Sequence, residues 1–169
     1  GELGCKHFVQ RLSLDLAGRY RETLAKSCVE TMTSAIRRHD EETLITVGVI
    51  PWVFVFGGGS PIFYSEAVSE SLDFASVHFY PRSGEVEKAV SAIQAYDIGK
   101  PLVVEETFPL HCSPDELVQF MNETADVVDG WFSFYWGTTA QEYESQGEAN
   151  LINQLKGDWM KRFHELSNR

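Results

Sequence analysis

Four times along this chain a short run of apolar and β-branched residues alternates with a longer segment whose apolar residues recur at helical spacing. That rhythm constrains the fold more than any single motif. The runs are residues 43–50 (TLITVGVI), 73–80 (DFASVHFY), 101–106 (PLVVEE) and 130–137 (GWFSFYWG). Their nearly continuous apolar character suits strands covered on both faces, as in a parallel sheet. An amphipathic helix is predicted over 19–39, where Leu24, Cys28, Met32, Ala35 and Ile36 recur. A short helix follows near 65–72, and another carries Val86, Ala89, Val90 and Ile93 and ends before Gly99. Ser113-Pro114-Asp115-Glu116 is a strong helix start, with a Ser cap, Pro at the first helical position and Glu at the third. That helix is expected to turn Leu117, Phe120, Met121 and Val128 inward. The last, from about residue 147, places Ile152, Leu155, Trp159, Phe163 and Leu166 on one face.

Strict strand–helix alternation implies right-handed crossovers. A doubly wound sheet and a piece of a closed barrel both satisfy it. Gly57-Gly58-Gly59 matches neither the GxGxxG nor the P-loop pattern and reads as a flexible loop. The length of 169 residues allows one domain with a real core, and 43% hydrophobic with 12% aromatic residues is a globular composition.

Lys and Arg total 14 against 25 Asp and Glu, a formal charge of −11. Such a field repels phosphate backbones and anionic membranes, so neither is an expected partner, whereas a neutral sugar is not penalised. No apolar run approaches the roughly 18–20 residues of a membrane span. Nor does the N-terminal stretch read as a secretory leader. The chain begins Gly1-Glu2-Leu3, and its localisation is left open. Cys5, Cys28 and Cys112 are odd in number and widely spaced, which suits free thiols rather than a disulfide framework or a zinc site.

Polar and aromatic groups gather where the runs end. His78 and Tyr80 close the second, Glu105 and Glu106 the third, Tyr135 and Trp136 the fourth, and Trp52 follows the first. Parallel architectures bind ligands at the carboxyl ends of their strands. Taken singly, each of these residues also suits a structural role. Side-chain alternation puts His78 and Tyr80 on one side and separates Glu105 from Glu106, one facing the barrel axis and the other facing the helix layer or capping a helix. Periodicity does not choose between the two carboxylates.

The ordered segments ITVG, DFASVHFYP, KPLVVEETF and GWFSFYWG resemble strands five to eight of the (β/α)8-barrel glycoside hydrolases of clan A, most closely the family 5 cellulase and mannanase group. The resemblance covers about residues 20–137. It implies a single domain over 1–169 that is the C-terminal half of a TIM-type barrel, with 1–18 as the loop after a missing fourth strand and 19–169 as four strand–helix units. It implies retaining hydrolysis of β-linked oligo- or polysaccharides, with Glu106 as nucleophile in the Lys-Pro-x-x-x-small-Glu motif begun by Lys100-Pro101. Glu105 stands where the family has Gly or Ala. His78 and Tyr80 match residues that contact sugar and hold the nucleophile. Trp136 matches the floor of the subsite where the bond breaks, and Trp52 a cleft-lining aromatic. A retaining enzyme sets its acid–base carboxyl about 5–5.5 Å from the nucleophile. The family's acid–base Glu stands in an Asn-Glu pair at the end of the fourth strand; Asn122-Glu123 lies in a predicted helix and does not qualify, so half of the catalytic pair is expected to lie upstream of Gly1. Metal ions and organic cofactors are not implied.

Four strands cannot close a barrel, which usually takes about 250 residues. Either a two-fold homodimer closes it, or terminal segments cover the open edges. The alternative function is a catalytically inactive carbohydrate-binding or structural half-barrel that oligomerises.

Overall fold

The computed structural model describes residues 20–55, 62–134, 137–145 and 150–168. The chain is α/β. Four parallel strands, β1 (Gly48–Val49), β2 (Ala75–His78), β3 (Leu102–Thr107) and β4 (Gly130–Ser133), form one sheet in the order β1-β2-β3-β4. The helices are α1 (Arg21–Arg37), α2 (Trp52–Val55), α3 (Glu66–Ser69), α4 (Val86–Ile93), α5 (Pro114–Glu123), α6 (Ala140–Ser145) and α7 (Leu151–Ser167). Short 3-10 turns at Ile62–Tyr64 and Gln94–Tyr96 precede α3 and extend α4. Among the described residues the strand order follows the sequence without reversal, with no switch point of the doubly wound kind. None of the described helices is long and apolar enough to cross a membrane.

The core lies on one face of the sheet. Ala75, Val77 and Phe79 of β2 and its exit, with Leu102 and Val104 of β3, are fully or almost fully buried beside Val86, Ala89 and Ile93 of α4 and Leu117 and Phe120 of α5. Phe79 stacks on Phe120 at 5.0 Å between ring centroids, and Phe120 meets Trp131 edge-on at 5.6 Å. The other face carries Thr46, Gly48, Ser76, His78, Val103, Glu105, Glu106, Gly130 and Phe132, and Phe132 is 63% exposed. Here the Thr46 and Ser76 hydroxyls lie 3.0 Å apart, and Val103 lies against Gly130.

Three elements differ from expectation. The strand expected over 43–50 pairs with β2 only at Gly48 and Val49, because side chains take up the ladder before it. The Tyr64 hydroxyl accepts from the Ser76 amide and donates to the Val47 carbonyl, and the Asp73 carboxylate accepts from the Ile45 amide. Of the strand expected over 130–137, Gly130–Ser133 form β4 and Phe134 follows it. The helix expected from about 147 begins at Leu151, and α6 precedes it. Residues 1–18, the Gly57-Gly58-Gly59 loop, Cys5, Tyr135 and Trp136 lie outside the described residues.

Candidate functional site

The strand ends bring His78, Tyr80, Glu105 and Glu106 together on the face away from the core, as two hydrogen-bonded pairs joined by a charge contact. Alternation would have separated the two glutamates. A bulge in β3 overturns that expectation: Val77 pairs with Val104 but His78 pairs with Glu106, so Glu105 is an extra residue. The β4 side shows the same surplus, Val104 opposing Trp131 and Thr107 opposing Ser133. A bulge leaves one residue unpaired and re-aims its neighbours. Both carboxylates therefore face His78, and Thr107 turns into the core, where it is fully buried.

The geometry around the ring is close. His78 Nε2 lies 2.9 Å from Glu105 Oε1, and Nδ1 lies 3.2 Å from Glu106 Oε2. The Tyr80 hydroxyl donates to Glu106 Oε1 at 2.5 Å, so each oxygen of Glu106 has a neighbour of its own. All three charged side chains are partly buried. The hydrogen bond to Glu105 raises the pKa of His78 above its ordinary value, against the effect of burial, with the Glu106 charge adding to the rise. The same bond, helped by Ser76, lowers the pKa of Glu105. Burial, with the bond to Glu106, pushes the Tyr80 phenol well up, so it remains a proton donor.

Gly48 on β1 faces the same group. A Cβ there would lie 1.8 Å from Glu105 Oε1 and 3.0 Å from His78 Nε2. Phe134, 54% exposed, meets Tyr80 edge-on at 6.5 Å between ring centroids. Trp52 opens α2 just beyond β1 and is half-buried, while the hydrogen-bonded group itself is built from β2 and β3. Trp136 lies outside the described residues. Among the described residues no set of three or more His, Cys, Asp or Glu side chains is arranged to hold a metal ion. The group stands on the open face of the sheet. A cleft of about 390 Å³ lies elsewhere, between α6 and α7, lined by residues such as Tyr143, Asn153 and Lys161.

Sequence reasoning placed His78, Tyr80 and Glu106 at the strand ends but missed Gly48 and the part taken by Glu105. A glycine inside a β-branched run was the available signal for the first, since strand glycines mark close approaches. Two adjacent carboxylates in an apolar strand were the available signal for the second. No family model, curated protein or solved structure matches this chain.

Proposed function

We propose that this chain carries the nucleophile side of a retaining β-glycosidase site, built on four strand–helix units of the TIM-barrel kind, with Glu106 as nucleophile. The observation that carries this reading is the setting of Glu106, which accepts from the Tyr80 hydroxyl at 2.5 Å and has the His78 ring as a charge neighbour, Nδ1 at 3.2 Å, at the carboxyl end of a parallel strand. A nucleophilic carboxylate must present one aimed oxygen to the anomeric carbon, and two fixed neighbours supply that aim. Glu105 reaches over β2 to the Gly48 backbone on β1, a distance of roughly 9–10 Å across two flat strand spacings. Such reach favours a face that is concave, as the inside of a barrel is. Exposed Phe132 and Phe134 on that side offer apolar area for the C–H face of a pyranose. Sugar binding without cleavage is the second reading, and one observation favours it: Glu105, the carboxylate beside Glu106, is engaged by His78 and is not free to act as the acid.

The nucleophile can be tested apart from any acid partner. A 2,4-dinitrophenyl 2-deoxy-2-fluoro-β-glycoside has a leaving group that departs without a proton. A Glu106 oxygen bonds to C1, the C1–O bond breaks, and dinitrophenolate leaves with the electron pair. Cellobiosyl and mannosyl forms are expected to release dinitrophenolate in a stoichiometric burst, with peptide mass mapping placing the sugar on Glu106. Glu106→Gln is expected to abolish the burst. A label on another residue, or an undiminished burst in the variant, would defeat the assignment. Glycoside binding seen by calorimetry with no burst from wild type would select the second reading.

A further inference from the structure

We propose that Glu105 is a positioning residue for Glu106, acting through the His78 ring, and that Gly48 keeps the space in which the Glu105 carboxylate sits. The inference rests on Glu106 being the reacting carboxylate.

An imidazole ring has two nitrogens. In the neutral form one carries a proton and the other a lone pair; in the charged form both donate. His78 stands between two carboxylates, with Nε2 2.9 Å from Glu105 and Nδ1 3.2 Å from Glu106. A neutral ring satisfies one of them and turns a lone pair on the other. A charged ring serves both. The carboxylate on the Nε2 side therefore decides what the Nδ1 side offers to Glu106. With Glu105 in place, a charged ring sets positive charge 3.2 Å from Glu106 Oε2 while the Tyr80 hydroxyl donates to Oε1. Without it, the ring at neutral pH is free to lose a proton and to face Glu106 with a lone pair.

Three features support a specific arrangement rather than incidental crowding. The bulge spends an extra residue of β3 to bring Glu105 onto the His78 face. Gly48 leaves the volume vacant, because a Cβ would fall 1.8 Å from the Glu105 oxygen. Among the described residues, the groups around the ring are Glu105 and Glu106 from β3, Gly48 of β1 with the Thr46 hydroxyl just before it, and Ser76 of β2 with Tyr80 just after it, whose proton already goes to Glu106. The directions of titration agree, with His78 raised by Glu105 and Glu105 lowered by His78. The sign follows. The hold exerted by a charged His78 is complete below about pH 6.5, the ordinary histidine value, and is lost as pH rises through the raised folded value.

The test is a proton titration of His78, read from ring-nitrogen NMR shifts in wild type, Glu105→Gln and Gly48→Ala. Glu105→Gln keeps the shape and removes the charge. Gly48→Ala keeps both charges and pushes the carboxylate off the ring. Either change is expected to lower the His78 midpoint by about one unit or more, the effect of removing an opposite charge at this range. Burst labelling of Glu106 near pH 7.5 is expected to slow about tenfold in Glu105→Gln, since one unit is tenfold in ring protonation. A merely space-filling Glu105 would alter unfolding without moving the midpoint. A wild-type midpoint in folded Glu105→Gln, or in Gly48→Ala should the first variant not fold, overturns the proposal. Absent labelling of Glu106 in wild type would defeat the nucleophile reading by itself, and the titration would still decide whether Glu105 holds the ring.

Discussion

The Tyr64 hydroxyl accepts the Ser76 amide proton at 2.8 Å and has the Val47 and Ser76 carbonyls within reach of its one proton, with the ring 3% exposed and Ser76 fully buried. One side-chain oxygen thus stands in for ladder bonds between β1 and β2, directly beneath the strand ends that carry the site. Tyr64→Phe keeps the ring and orphans the Ser76 amide, a loss of about 1–3 kcal/mol for a buried unpaired donor. Urea unfolding of the variant is expected to show that loss; an unchanged midpoint would mean that the hydroxyl contributes nothing net. At this scale His78, Tyr80 and Glu106 were legible in the sequence because polar groups at the ends of apolar runs stand out. Glu105 and Gly48 were not, because strict alternation assumes an unbulged strand and a bulge is decided by pairing partners far away in sequence.

Among the elements, α5 was the most legible, since its start is written locally. Ser113 accepts from the Glu116 amide while the Glu116 carboxylate accepts from the Ser113 amide at 2.8 Å, closing a capping box with Pro114 at the first position. The same carboxylate accepts from the Gly84 amide at 2.7 Å and from the Ser83 hydroxyl, tying the connection after Tyr80 to the start of α5. Gly84 takes φ +73° at that turn, a conformation glycine adopts freely. These bonds, led by the backbone amides of Ser113 and Gly84, hold the Glu116 carboxyl down to about 2 from 4.5. Its contribution to stability is present above about pH 4.5 and is lost as pH falls toward 2. Glu116→Gln is therefore expected to unfold at lower temperature than wild type at pH 7, with the gap narrowing at pH 3; a gap constant with pH would show that the carboxylate charge plays no part. The face of α1 was less legible. Leu24, Cys28 and Met32 mark an apolar stripe in the sequence, yet the helix buries Ala25, Val29 and Thr33 and leaves Leu24 and Met32 43% and 58% exposed. Small side chains allow the closer approach, and the Thr33 hydroxyl is satisfied by the Val29 carbonyl at 2.8 Å. A helix with two apolar stripes does not reveal in isolation which one its neighbours will cover.

In the molecule as a whole, large apolar side chains among the described residues are exposed at both ends of the strand order. Leu24, Met32, Ile36 and Leu44 lie at the β1 end, and Phe132, Phe134, Leu151, Ile152 and Leu155 at the β4 end. A two-fold dimer that pairs β4 of one copy with β1 of the other would cover both sets and close eight parallel strands into a ring. Light scattering at micromolar concentration is expected to give twice the chain mass, and a monomeric mass would defeat this assembly. Parallel α/β architecture was legible because the strand–helix rhythm is global, whereas closure depends on surfaces that no local pattern encodes. Since every strand pairs only with its neighbours in sequence, the sheet couples like a one-dimensional lattice, in which a disturbance at β1 reaches β4 by way of β2 and β3. Glu105 adds a next-nearest link to that lattice, because its carboxylate, bonded to β2, occupies room reserved on β1. Three strands must therefore be in place before the group assembles, so the chemistry of the site reports on the cooperativity of the sheet.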